Sequence, residues 1–412
     1  MKISDANLKI IKDSRGKDTL EAELKADNLS AVASAPSGKS RGAHESFVLE
    51  PQLAVKKFNE TKLGILNREF NSQQEFDDFL NYLDGSKNKG NLGGNLTLVL
   101  SLAFARLKAK TENKELFQYI RQISQLSNSQ VSQLPRPFFN VINGGAHATN
   151  PQSKLDFQEF QIIPKTQDFG IALGLGQEFY RKLNETLEEK FGKENVMLGD
   201  EAGFSCPFES NEQAIEILAD LIVKSNYPLK IGLDVAATQF FHNADLRGSN
   251  AGKRGYYLIG EKEYSAEELK DFYIKLIEAY NIFSIEDPFF EESFDDFTKL
   301  TQSKPETLII ADDLTTTNPE RLKRAIEKKS GNAILIKPNQ IGTLTETINV
   351  IKLDSENGWQ FVVSHRSGET MDDFIANLAA GTGAFGIKAG APSAPERMAK
   401  YNRLLRIGEL GS

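Results

Sequence analysis

The chain has 412 residues, 40% hydrophobic and 26% charged, with a formal net charge of −8. That length accommodates two domains, one of them a barrel of roughly 250 residues. The acidic balance excludes bulk attraction for nucleic acid or an anionic membrane, so an anionic ligand needs a local cationic cluster or metal ions. The single cysteine, Cys206, excludes an intrachain disulfide framework and a cysteine-rich zinc site. It suits a reducing cytoplasm, which is the expected compartment. The N-terminus lacks an apolar signal region, and no run approaches the ~18 apolar residues of a membrane-spanning helix.

Residues 1–35 read as an antiparallel meander, with strands at Leu8–Lys12, Leu20–Ala26 and Ala31–Ala35. Pro36–Gly42 follows, a loop with two glycines and two serines, either a plain connection or a mobile lid. Ser72–Leu83 reads as an amphipathic helix opened by a Ser72/Glu75 capping pattern. Asn95–Lys110 and Glu112–Ile123 read as two more helices, the first apolar nearly all round and therefore buried. The polar stretch Ser124–Gln133 marks a linker, giving an N-terminal domain over 1–130 and a second over 131–412.

The second domain opens with a strand running into Asn143-Gly144-Gly145, then a second strand, Phe157–Ile163, with no helix between. Helices follow at Phe169–Lys190 and Ser210–Lys224, flanking Leu198-Gly199-Asp200-Glu201-Ala202-Gly203. Asn243–Lys262 is a polar insertion, expected as a hairpin outside the barrel. From Asp234 onward, short apolar strands end on an ionisable residue. Glu286, Asp312, Lys337, His365 and Lys388 are spaced by 26, 25, 28 and 23 residues, about one strand, one helix and two loops per step. Strands that end this way present a site at the C-terminal mouth of a (β/α)₈ barrel.

Asp234, Glu286 and Asp312 end three successive strands. Singly, each reads as a helix cap or a surface ion pair. Together, on strands ~4.8 Å apart, they can converge on one hard cation, and oxygen ligands without cysteine favour Mg²⁺. Asp313 is expected to orient a neighbour. Lys337 and Lys388 either reach their ammonium groups to water or, beside a metal and another cation, one of them serves as a base. Glu159, inside an apolar strand, and Glu201, flanked by glycine turns, are either salt-bridged core acids or a general acid with a raised pKa. His365-Arg366-Ser367 is expected to open a helix whose N-terminus would suit a phosphate or carboxylate. His147 lies in a Gly-Gly-Ala-His loop that could cover a substrate. These groups describe proton abstraction next to a carboxylate, with cations stabilising the enolate and an acid expelling a leaving group, an arrangement established for metal-assisted carbon-acid chemistry.

From Ser14-Arg15-Gly16 to Leu404-Leu405-Arg406-Ile407, essentially its whole length, the sequence resembles the enolase family, the 2-phosphoglycerate dehydratases of glycolysis. The most specific matches are Phe138-Phe139-Asn140-Val141-Ile142-Asn143-Gly144-Gly145, Ser284-Ile285-Glu286-Asp287-Pro288-Phe289 and Asp312-Asp313-Leu314. Lys337 with Asn339-Gln340-Ile341-Gly342, Val363–Thr370, and Ile387-Lys388 with Gly390-Ala391-Pro392 are equally telling. The resemblance implies an α+β cap on a modified (β/α)₈ TIM barrel of ββαα(βα)₆ order. It implies Lys337 as base and Glu201 as acid, assisted by Glu159. Asp234, Glu286 and Asp312 would hold a first Mg²⁺ that binds the substrate carboxylate, and Ser40 would ligate a second that arrives with substrate. Arg366 and Ser367 would grip phosphate, Lys388 and Gln158 would contact the carboxylate side, and His147 and His365 would close over the site. The partner implied is a small phosphorylated hydroxy acid, and the assembly a homodimer or higher oligomer in which Glu21 of one subunit pairs with Arg406 of the other.

Four positions depart from the commonest pattern: Lys39-Ser40-Arg41 for Ala-Ser-Thr, Ala202 for a glycine, Thr238-Gln239 for Ser-Glu, and Pro338 for an aliphatic residue. None removes a catalytic group. Two other readings stay open, a different carbon-acid lyase or racemase on the same frame, and a non-catalytic binding role.

Overall fold

The computed structural model describes residues 1–39, 42–66, 68–126, 133–243 and 255–411. The predicted meander is present as three antiparallel strands, Asp5–Lys12, Asp18–Ala26 and Leu29–Ser34, paired in sequence order. Leu20, Ala22, Leu24 and Ala26 alternate into one buried face. The helix Gly94–Thr111 packs on that face. It also contacts the helices Gln73–Asp84, Leu116–Ser124 and Leu344–Glu356, which explains why apolar residues surround it on every side.

Two elements differ from expectation. A helix at Pro51–Ile65 gave no clear periodicity, because it buries only Ala54, Phe58 and Ile65; its sequence signal is Pro51 in the first turn. The helix expected from Glu112 begins at Leu116 instead. Asn113 takes a left-handed φ of 55°, and Glu115 caps the helix reciprocally with Gln118. Most of the expected linker lies outside the described residues.

The second domain is a closed barrel in the predicted ββαα(βα)₆ order. Its eight strands, in ring order, are Arg136–Asn143, Glu159–Pro164, Leu229–Asp234, Ser284–Glu286, Leu308–Ala311, Ala333–Ile336, Gln360–Ser364 and Gly386–Lys388. Pairing of the eighth strand with the first closes the ring. The second strand runs antiparallel to both neighbours. Its first residue, Glu159, therefore sits at the mouth where the other strands end. Phe138, Ile163, Ile310, Leu335 and Val362 fill the interior below. The short strands Met197–Leu198 and Phe204–Ser205 carry the loop with Glu201. Phe241–His242, Tyr256–Ile259 and Lys262–Tyr264 form a separate small sheet where the hairpin was expected, and residues 244–254 of that insertion lie outside the described residues.

Helix Leu344–Glu356 of the barrel is capped from both domains. Thr343 accepts from the Glu346 amide. From the N-terminal domain, the Leu344 amide donates to Ser101 Oγ at 2.9 Å and the Thr345 amide to Asp77 Oδ2 at 2.9 Å. Amides that a helix start leaves without backbone acceptors thus tie the domains together.

Candidate active site

Strand register sets the acids abreast. Glu159 lies opposite Asp234, and Asp234 opposite Glu286. Lys388 reaches into this row: its Nζ donates to Asp234 Oδ2 at 2.8 Å and to Glu286 at 2.9 and 3.0 Å, and lies 3.1 Å from Glu159 Oε2. Burial alone would strip its proton, but the carboxylates of Asp234, Glu159 and Glu286 hold its pKa well above the usual lysine range. Asp312 and Lys337 follow directly after the fifth and sixth strands, and the Lys337 ammonium donates to Asp312 Oδ2. Against the cost of burial, Asp312 raises Lys337, and Lys337 in turn lowers Asp312.

Asp313 was expected to orient its neighbour, but that work belongs to Asp287. The Asp287 carboxylate accepts the amides of Asp312 at 3.0 Å and Asp313 at 2.7 Å. Burial, then the charge of Asp312, pushes Asp313 up to about 7.

Glu159 and Glu201 form a buried acid pair on the other side of the mouth. Gln161 donates to Glu159 Oε2 and Asn140 to Glu201 Oε2, each at 3.0 Å. Two such carboxyls cannot both ionise cheaply. Burial and the charge of Glu201 push Glu159 well above the usual range. Burial works the same way on Glu201, and what holds it below that range is positive charge on His365, His147 and Arg397, of which only the Arg397 charge persists when the rings are neutral. His365 is itself pushed down to about 4 by burial, so at neutral pH it faces Glu201 as a neutral ring. His147 Nδ1 lies 3.6 Å from both acids, and its Nε2 is 3.4 Å from Ser367 Oγ. Gln158 donates to Asp234 Oδ2 at 3.2 Å.

Arg366 and Ser367 do line the cavity, but on an irregular segment: the next helix starts only at Phe374. A proposed anion there meets a guanidinium rather than a helix N-terminus. Arg366 is paired with Glu45, with Nη1 and Nη2 at 3.0 and 3.2 Å from its two oxygens. The loop before Glu45 is pinned at one end, where the Ser37 and Gly368 amides exchange hydrogen bonds at 2.8 and 2.9 Å. Lys39 pairs with Asp200 at 3.1 Å, beside Glu201. Ser40, the expected second metal ligand, lies outside the described residues, as does Arg41.

The residues present suit a hard divalent cation. Among the described residues, seven carboxyl groups and four permanent cations, Lys39, Lys337, Arg366 and Lys388, line the cavity. Asp234 Oδ1 is buried without a partner, a position that stays favourable only with a cation or donor nearby. Among the described residues, two groups bring ligating atoms within 4.8 Å of one another: His147, Glu159 and Glu201, and Asp287, Asp312 and Asp313. The strand-end set is gathered differently, with Lys388 bridging Asp234 and Glu286 and Lys337 holding Asp312.

Comparison with known proteins agrees with this architecture. Residues 131–412 match the family model described as "Enolase, C-terminal TIM barrel domain", and residues 3–120 the one described as "Enolase, N-terminal domain". Enolase B of Dictyostelium discoideum is 40% identical over 99% of this chain and 95% of its own length. An enolase of Methanocaldococcus jannaschii is 40% identical over 99% and 96%, and one of Sulfurisphaera tokodaii 40% over 96% and 93%. The chain belongs to the enolase family. It is accordingly a carbon–oxygen lyase, a phosphopyruvate hydratase acting on a phosphorylated small molecule and dependent on Mg²⁺. Among the described residues no helix is long and apolar enough to cross a membrane.

Within this enolase frame, the departures have local consequences. Ala202 takes φ +63° in the turn that carries Glu201. Gln239 donates to Gln158 Oε1 at 2.5 Å and accepts the Ala146 amide at 3.3 Å, tying the His147 loop to the third strand's end. Pro338 opens a short 3₁₀ turn, Pro338–Gln340, directly after Lys337. Glu45, Asp287 and Arg397 escaped the sequence reading. Asp287 stood inside a quoted motif and Glu45 beside the lid, but nothing in their spacing separated them from ordinary surface acids.

Proposed function

We propose that this enolase interconverts 2-phospho-D-glycerate and phosphoenolpyruvate with Lys337 as the C2 base and Glu201 as the acid at C3. Ring order is the observation that carries the reading. Glu159 begins the second strand and Lys337 follows the sixth, four places apart in a ring of eight, which supports an acid drawn from the Glu159–Glu201 pair on the side of the mouth away from the base. That suits removal of a proton from one face of a substrate and delivery of a proton to the other.

Lys337 acts as a neutral amine. Arg366 and Lys388 push its proton off, while Asp312 and Glu286 hold it on. Lys337 is thus a base to the extent that those carboxylates are engaged elsewhere. Glu201 draws on the proton stored at Glu159 and hands it to the departing hydroxyl. Arg366 and Ser367 bind phosphate, with Glu45 giving up Arg366 as phosphate arrives. Gln158 and Lys388 orient the carboxylate end, and His147 and His365 cover the acid pair. Asp234, Glu286 and Asp312 would hold one Mg²⁺ and Ser40 a second. Bound there, the two ions supply positive charge against the enolate and phosphate. The reading includes a cap over 1–130, a barrel over 131–412, a cytoplasmic location and a homodimer as the smallest assembly.

The test is ultraviolet absorbance on adding 2-phosphoglycerate with and without Mg²⁺. A metal-dependent rise supports the reading. A purified protein that stays silent with Mg²⁺ but turns over a non-phosphorylated carboxylate would assign it to another carbon-acid reaction.

A further inference from the structure

Arg397 is fully buried on the helix Pro395–Glu409, beneath the site. Its Nη1 lies 2.6 Å from His365 Nδ1 and donates to the Arg366 carbonyl at 2.8 Å. Its Nη2 donates to the carbonyls of Asp200 at 2.9 Å and Ser367 at 2.7 Å. The side chain is locked in place. A Cβ at Gly390, where φ is +87°, would stand 2.9 Å from Arg397 Cδ, so only glycine leaves it room. Its nearest carboxylate, Glu396, is 3.4 Å from Nε.

A guanidinium has donors and no acceptor. His365 Nδ1 must therefore accept, and its one ring proton belongs on Nε2. That atom lies 3.2 Å from Glu201 Oε2, without the alignment of a hydrogen bond, and has no hydrogen-bond partner among the described residues. We infer that Arg397 is a positioning residue for the acid: it fixes His365 as the Nε2–H tautomer and so holds a ring N–H, rather than a lone pair, on the side next to Glu201. The same guanidinium holds the backbone just before Glu201, through the Asp200 carbonyl. One side chain thus sets both partners of the His365–Glu201 approach. His365 then presents a donor, not an acceptor, to the acid beside it.

This inference rests on the assignment of Glu201 as acid, so its test begins with a readout independent of activity. Nitrogen-15 shifts of the histidine rings are recorded in the wild-type protein with Mg²⁺, His365 being identified by its loss in His365→Gln. The expected spectrum has a pyridine-like Nδ1 and a pyrrole-like Nε2 at His365. A ring protonated at Nδ1 or on both nitrogens overturns the inference, whatever Arg397 variants do. In Arg397→Met, the fixed tautomer should be lost. The kcat should drop by at least about tenfold while KM for 2-phosphoglycerate shifts less than about threefold. A role confined to bracing the Arg366 and Ser367 carbonyls would instead raise KM with kcat kept, and that result also overturns it. If Lys337→Ala retained activity, the catalytic assignment would fall while the tautomer measurement kept its meaning.

Discussion

The turn that carries Glu201 is strained at a single Cβ. Ala202 holds φ +63° because the turn is fixed on both sides: the Ala202 amide donates to the Gly199 carbonyl at 3.0 Å, and Tyr180 Oη donates to the Ala202 carbonyl at 2.6 Å. A left-handed alanine costs roughly 1 kcal/mol against glycine, partly offset by glycine's greater freedom in the unfolded chain. Ala202→Gly should therefore raise the thermal midpoint by roughly 1–2 °C; a lowered midpoint would show the turn to be unstrained. Lys337→Ala should lower kcat by roughly 10²–10⁴-fold with far-ultraviolet circular dichroism unchanged, since the backbone hydrogen bonds of this position, from its amide to Thr317 Oγ1 and from the Gln340 amide to its carbonyl, do not involve the side chain. Full activity in that variant would remove Lys337 from the role of base. At this scale, the strand-end residues were legible because a barrel's chemistry collects where its strands stop. Asp287 was not, because it accepts amides 25 and 26 positions away. Glu45 was not, because its partner Arg366 is 321 positions away. Neither relation leaves a mark in local spacing.

The strands and helices were legible where one face alone is buried, and obscure where packing decides. The capped helices followed their Ser and Asn signals, as with Ser210 before Asn211–Lys224. The segment His365–Glu369 was read as a helix start, but the polar groups there and just after it are taken up by tertiary partners instead. Glu369 pairs with Lys400 at 2.8 Å, and Asp372 pairs with Arg106. The cap on Leu344–Glu356 leads to a pH prediction. Burial, against hydrogen bonds from Thr345, Ser101 and Gln73, raises Asp77 to about 6. An acid whose folded pKa exceeds its unfolded value favours the folded state most at low pH. That contribution is lost as pH rises from the unfolded value of 3.8 through about 6, by an amount of order 2–3 kcal/mol. Asp77→Asn carries no such dependence. Its thermal midpoint relative to wild type should climb between about pH 4 and pH 7; a constant difference across that range would mean that Asp77 does not titrate there.

At the scale of the molecule, the cap and the barrel share one continuous hydrophobic core, and the cavity between them takes Lys39 and Glu45 from one and its acids from the other. The same cap leaves a surface that a single chain does not cover. Beside Glu21 lies a groove of about 600 Å³ lined in part by Ile11, Val32 and Met371, of which Val32 and Met371 are 39% and 64% exposed. Glu21 spends its charge on Lys9 at 2.6 Å, a surface pair worth little to the monomer. Arg406 is exposed on the C-terminal helix. In a two-fold dimer, each subunit would offer Glu21 to its partner and Arg406 in return, so one contact is made twice. Reversing one charge then places like charges together at two points. Arg406→Glu should weaken dimerisation by roughly 2–5 kcal/mol or more, read as a shift to monomer in sedimentation velocity at micromolar protein. Glu21→Arg combined with Arg406→Glu restores opposite charges at both points and should recover the dimer. Recovery in the double variant separates a direct contact from general damage to the helix, since damage would add rather than cancel.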